Sequence, residues 1–213
     1  MKKVLVITDS LGLPRKTPET VRYEETWVHQ LSRHFTVHQI SIGGGTINDL
    51  FTQIEYAKMF EPDFTVIQSG IVDCAPRALT KLETTLLNKY YLTRKLLKTI
   101  MRPKVLNFLR RQRKKTYTSL SSFEKQVADF CIIFKGKLFW VGIVPAAAAY
   151  EQKVPGITTN VQRYNAAIKK HLGESFIDLD GLPETHVMTD HIHLSKEGHA
   201  HVYEKLIKVI PNI

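Results

Sequence analysis

The chain reads as an α/β protein: a three-layer α/β/α sandwich on a five-stranded parallel sheet, carrying one basic helical insertion. Three observations lead there. Apolar, β-branched-rich runs of strand length recur five times along the 213 residues. Segments with the helical spacing of apolar residues separate them, the alternation expected of a parallel sheet. Hydrophobic residues make up 43% and Gly and Pro are unexceptional, which excludes a disordered or fibrous chain.

The first run, Lys3–Thr8, has an apolar core of only Val4 to Ile7 with no small-residue cleavage site after it. It is therefore read as a strand and not a leader, and the chain as cytoplasmic. Further strands are expected at 35–42, Phe64–Gln68, 138–144 and 176–179, and helices at 20–34, 46–60, Leu120–Phe134, 161–172 and 195–210. Thr46 after the glycines, and Ser195 before Glu197 and Gly198, are the helix caps. Right-handed crossovers then favour a flavodoxin-like strand order. Residues 1–213 form one domain in this reading. No apolar run approaches the roughly 18 residues of a spanning helix. Cys74 and Cys131 make no disulfide framework and are read as buried free thiols.

Segment 81–117 interrupts the rhythm. The net charge of +10 is concentrated in it: between Glu83 and Glu124 there is no acidic residue, but eleven basic ones run from Lys89 to Lys115. The rest of the chain holds 19 basic against 20 acidic residues. Apolar spacing at Leu92, Leu96, Leu97 and Ile100, then at Val105, Leu106, Phe108 and Leu109, predicts two basic amphipathic helices bent at Pro103. Such a segment either faces water as a solvated flap or approaches an anionic glycan or an anionic membrane surface. Nucleic acid is not favoured, since no helix-turn-helix, zinc-ligand spacing or RNP motif accompanies the charge.

The chemistry gathers at the strand ends. These read Thr8-Asp9-Ser10-Leu11-Gly12, Gly43-Gly44-Gly45-Thr46 and Gly70-Ile71-Val72-Asp73, joined near the carboxyl terminus by Asp190-His191-Ile192-His193. In a parallel sheet they converge on one edge. Acyl transfer needs a hydroxyl, an imidazole to take its proton, a carboxylate to fix the imidazole, and donors for the oxyanion. Ser10, His193, Asp190 and the glycine turn supply these parts.

The runs TDSLG, GGGT, GIVD and DHIHLSKEGH resemble, in order, the four motif blocks of the SGNH (GDSL-like) hydrolases, spread over residues 8–199. The resemblance implies a flavodoxin-like α/β/α serine esterase without a cofactor. Ser10 would be the nucleophile, His193 the general base, Asp190 its partner, and the backbone N–H groups of Ser10 and Gly44 oxyanion donors. The implied substrate is an ester-linked small acyl group, acetyl above all, on a carbohydrate, with a site at the inner membrane face as an option. Two alternatives stand beside it: an O-acyltransferase using the same acyl-enzyme, and a non-catalytic binder of anionic polymer or membrane.

The chain departs from the family twice. Thr8 replaces a glycine, and Val72 replaces the asparagine whose side-chain amide would serve the oxyanion. Either Ser10 and Gly44 suffice, or Asn48 or Arg77 supplies a donor, or the protein binds or transfers instead. Arg77 and Asp73 are candidate substrate contacts, with a bracing role for Asp73 and an ion pair from Arg77 to Asp73 or Asp9 as alternatives. No metal is assigned, because His186, His191, His193, His199 and His201 match no usual ligand spacing. The run Ala146 to Ala149 is read as a loop under the active edge.

Overall fold

The computed structural model describes residues 1–210, apart from the side chains of Leu92, Leu96 and Thr99. Five strands form one parallel sheet in the order β2-β1-β3-β4-β5: β1 Lys3–Thr8, β2 Thr36–Ser41, β3 Phe64–Gln68, β4 Leu138–Val141 and β5 Phe176–Ile177. This is the flavodoxin-like order. Val4 to Ile7 are almost wholly excluded from solvent. A strand flanked by neighbours and covered on both faces has no polar side, hence its unbroken apolar run.

The helices are α1 Trp27–Leu31, α2 Ile47–Phe51, α3 Ile54–Lys58, α4 Ile71–Cys74, α5 Lys81–Lys89, α6 Tyr91–Ile100, α7 Pro103–Arg113, α8 Leu120–Phe134, α9 Ala148–Lys153, α10 Ile157–Leu172 and α11 Lys196–Val209. Helix α1 packs with α11, and α8 packs with α10 and α2, giving the outer layers of the sandwich. No described helix is long and apolar enough to cross a membrane.

Several elements differ from expectation for local reasons. The span 46–60 is two helices, because Thr52 Oγ1 donates to the Asp49 carbonyl and Gln53 N–H to Leu50, tightening the turn between them. The span 20–34 holds only α1 and a 3-10 turn, Tyr23–Glu25, since Thr26 caps α1 by accepting the His29 N–H. Helix α10 starts a turn early, at Gly156 with φ 91°, where the Glu151 carboxylate accepts the Gly156 and Thr158 N–H groups. Helix α9 occupies part of a span read as loop. Both cysteines are free, Cys74 buried and Cys131 half-buried rather than buried.

Segment 81–117 contains three helices, not two. Thr80 and Glu83 form a capping box at the start of α5, and Tyr90 breaks it from α6 in an extended conformation. Pro103 sits in the first turn of α7, where its missing N–H costs nothing. The segment's ends are tied together by an Arg77–Lys115 backbone bridge and by the Arg113 guanidinium on the Glu83 carboxylate. Leu92 and Leu96 of the expected apolar stripe lie outside the described side chains.

One buried histidine gives the fold a testable acid limb. His199 on α11 accepts the Trp27 N–H through Nδ1, and burial pulls its pKa from 6.5 down to about 4. The unfolded chain takes up this proton at higher pH than the folded one, so stability is complete above pH 6.5 and is lost as pH falls toward 4. The difference is worth about 3 kcal/mol. Burial raises the pKa of Asp9 and Asp73, which act in the opposite sense, so the comparison is between wild type and His199→Gln, whose amide oxygen still accepts from Trp27. Urea unfolding between pH 7.5 and 4.5 should show a shallower acid loss in the variant.

Candidate active site

Strand β1 runs directly into Asp9 and Ser10. Asp9 is fully buried; its Oδ1 accepts the Leu11 N–H at 2.9 Å and caps the 3-10 turn Ser10–Gly12. The turn is tight because Gly12 lies against Thr8: a Cβ there would fall 2.5 Å from Thr8 Oγ1. Thr8 in turn bonds Ser41 Oγ at 2.6 Å, tying the end of β1 to that of β2. The threonine in the first block is thus accommodated by the glycine four residues on. Ser10 opens the short helix, so its N–H has no acceptor within that helix.

The opposite wall is a turn between Thr189 and α11. Asp190 Oδ1 accepts the N–H groups of Ile192 at 2.9 Å and His193 at 3.0 Å, folding the loop around the carboxylate. His191 takes φ 63° within it. Asp190 Oδ2 lies 2.6 Å from His193 Nδ1, and His193 Nε2 lies 2.9 Å from Ser10 Oγ. The hydrogen-bond network therefore assigns the proton to Nδ1 and leaves Nε2 to accept from the serine. The His193 side chain is only 12% exposed. Burial lowers its pKa below 6.5, and the Asp190 carboxylate only partly restores it. Burial also acts upward on Asp190, but the hydrogen bonds from His193 and Ile192 outweigh it and hold the carboxyl below its usual value.

The glycine turn follows β2 at the same rim, where the Ile42 N–H donates to the Thr8 carbonyl at 3.0 Å. Gly44 has φ 70° and open space around it, and its N–H donates to no acceptor among the described residues. Val72, on α4, packs against the core and offers no donor. Asn48 is exposed, and its Oδ1 accepts from Gln126 Nε2 of α8.

Asp73 is corrected from substrate contact to brace. It is fully buried, accepting the Ile47 N–H and the Thr118 hydroxyl, so it clamps the loops after β2, after β3 and before α8. Arg77 pairs with neither Asp73 nor Asp9; it donates to the Val72 carbonyl at 2.9 Å and stacks on the Tyr117 ring at 4.1 Å. The remaining histidines disperse. His199 is in the core, and the rings of His186 and His201 lie 5.5 Å apart. Gln68 and Trp27, which had no role in the sequence reading, support the floor: the indole N–H donates to Gln68 Oε1 at 2.9 Å. Only tertiary proximity reveals that pair.

Solved structures share this architecture. The lipase/acylhydrolase from Enterococcus faecalis matches at TM-score 0.67 and 14% identity, over 99% of this chain and 95% of that one. The fold is that of the SGNH-like hydrolases. TesA matches at TM-score 0.63 and 13% identity, over 99% and 98% of the two chains. Axe2, an acetylxylan esterase from Geobacillus stearothermophilus, matches at 0.61 and 17%, over 100% and 95%. No protein-family model matches the chain, and no curated protein matches it.

The imidazole titration is directly measurable. In Ser10→Ala, NMR should place the His193 pKa below 6.5, and adding Asp190→Asn should lower it further, since the carboxylate is what raises it. An unchanged or higher value in the double variant would contradict the hydrogen-bond assignment.

Proposed function

We propose that the chain is a serine ester hydrolase that removes a small acyl group, acetyl in the first instance, from a carbohydrate. One observation carries this reading: the unbroken chain Asp190 Oδ2, His193 Nδ1, His193 Nε2 and Ser10 Oγ, with contacts of 2.6 and 2.9 Å. Ser10 Oγ attacks the ester carbonyl while His193 Nε2 takes its proton, and Asp190 stabilises the imidazolium. The N–H groups of Ser10 and Gly44 receive the developing oxyanion. His193 then gives its proton to the leaving alkoxide. Water, deprotonated by the same ring, releases the acid from the acyl-enzyme and restores Ser10.

A cavity of about 230 Å³ lies beside the catalytic loop, lined in part by Ala146, Ala147 and His191 but by neither Ser10 nor His193, so the size of the acyl group does not rest on it. The carbohydrate is supported by the shared fold with an acetylxylan esterase. An anionic setting is supported by segment 81–117, where exposed Leu82, Leu86, Tyr90, Tyr91 and Phe108 accompany the basic side chains. Val72, in the place of a donor, favours a second reading: a binding protein on a hydrolase scaffold.

A fluorophosphonate probe separates the two. Mass spectrometry should find the adduct on Ser10 and lose it in Ser10→Ala and His193→Ala. Hydrolysis of p-nitrophenyl acetate should fall about 10⁴-fold in Asp190→Asn, whose ring adopts the wrong tautomer. Its kcat/KM profile in the wild type should rise with pH to a plateau, with a midpoint below 6.5. No labelling of Ser10 in folded protein would favour the binding reading.

A further inference from the structure

A cavity of about 700 Å³ opens between α7, α9 and the first turns of α10. Its walls carry Arg110 and Arg111 from α7, Lys114 at its C-cap and Arg163 from α10, against a single carboxylate, Glu151. That carboxylate is committed: it accepts the Gly156 and Thr158 N–H groups and the Thr158 hydroxyl. None of the four cations makes an ion pair among the described residues. The contrast lies within a few residues along the chain, since Arg113, the last residue of α7, and Lys115 just beyond it share Glu83. Neutralisation was available to α7 and was used on one face only.

Arg110 is the anchor of this face. Its Nη1 donates to Asn107 Oδ1 at 3.2 Å and to the Lys153 carbonyl at 2.7 Å, which fixes the guanidinium between α7 and the end of α9. Its Nε is buried without an acceptor. Burial first, and then the positive charge of Arg77, act against its protonated form, yet a guanidinium does not deprotonate in proteins. Like charges held together in this way are stabilised by a bound anion.

We infer that this cavity is a binding site for a phosphate-bearing small molecule, a phosphomonoester carried on an organic body such as a sugar. Three guanidinium groups and an ammonium suit a phosphate's several oxygens, since arginine forks bind them bidentately. A dianion offsets more of the excess positive charge than a carboxylate does. The volume is many times that of a phosphate ion and falls in the range of small-molecule sites. The site is separate from Ser10 but close to its rim: Gln152 of α9 lines it, while Ala147, just ahead of α9, lines the small cavity that His191 shares. This is a binding claim beyond the esterase reading, and Ser10→Ala should leave it intact.

Calorimetric titration with glucose 6-phosphate tests it. The expected result is one binding site per chain, with glucose alone giving no heat. In Arg111→Glu/Arg163→Glu, where both side chains are exposed, affinity should fall at least tenfold. In Lys98→Glu/Arg102→Glu, which changes net charge equally outside the cavity, affinity should stay within twofold. Thermal melts confirm that both variants are folded. Phosphatidic acid vesicles, whose headgroup is itself a phosphomonoester, form a second arm: displacement of glucose 6-phosphate by them, lost in the cavity variant, identifies a lipid headgroup as the source of the phosphate, and no displacement identifies a soluble ester. No binding of glucose 6-phosphate by the wild type, or equal weakening in both variants, overturns the proposal.

Discussion

The Asp190 carboxylate is the constraint on which the site depends, because one group performs two tasks. Its Oδ1 closes the loop by taking two backbone N–H groups, and its Oδ2 holds the imidazole. The loop is pinned from behind by the Met188 N–H on the His193 carbonyl at 2.7 Å and by the Val187–Leu194 bridge. Ser195 then caps α11, so the turn leads into a long, packed helix. The ring is therefore oriented before any substrate arrives, which is the condition for a proton transfer that costs no reorganisation.

The opposite wall has the same economy. Parallel pairing of β1 with β2 and β3 brings Thr8, Ser41 and Gln68 to one level, and everything chemical projects beyond it. Gly70 leaves β3 at φ 135°, with Ile143 so close that a Cβ would fall 2.6 Å from its Cδ1, and with Phe123 next to it. That packing sends α4 inward and brings Asp73 to Ile47 and Thr118. A carboxylate that looks available in the sequence is thereby consumed in holding three loops together. Arg77, four residues on, donates to the Val72 carbonyl and stacks on Tyr117.

What was legible in the sequence follows from range. Strand order and the meeting of Ser10 with His193 could be read because parallel sheets place strand ends together, and because Asp190 and His193 are three residues apart. Helix breaks could not be read where a side chain redirects its own backbone: Thr52 at the end of α2, Glu151 ahead of α10 and Thr26 ahead of α1 each act through local hydrogen bonds to main-chain groups within seven residues. The fates of Asp73 and Asn48 were hidden for a different reason. Their partners, Thr118 and Gln126, are 45 and 78 residues away and carry no motif. The excess charge of 81–117 was plain in composition, but only packing distinguishes Arg113, which is neutralised, from Arg110, which is not.

Asp9 shows how burial serves the proposed chemistry. It precedes the nucleophile and is fully enclosed, with Oδ2 lacking any partner. Burial first, then the nearby charge of Asp73, lifts its pKa to about 7 against the pull of the Leu11 N–H. An ionised carboxylate there would oppose the negative charge that builds on the substrate oxygen beside Ser10. The protonated form does not, and Oδ1 still accepts from Leu11. His193 is shifted the other way by the same cause, because burial disfavours its cationic form. The two displacements run in opposite directions and reverse the order in which the groups titrate, opening an interval in which the ring is free to take a proton while the neighbouring acid still holds its own. In water the order of the two groups is reversed, and no such interval exists.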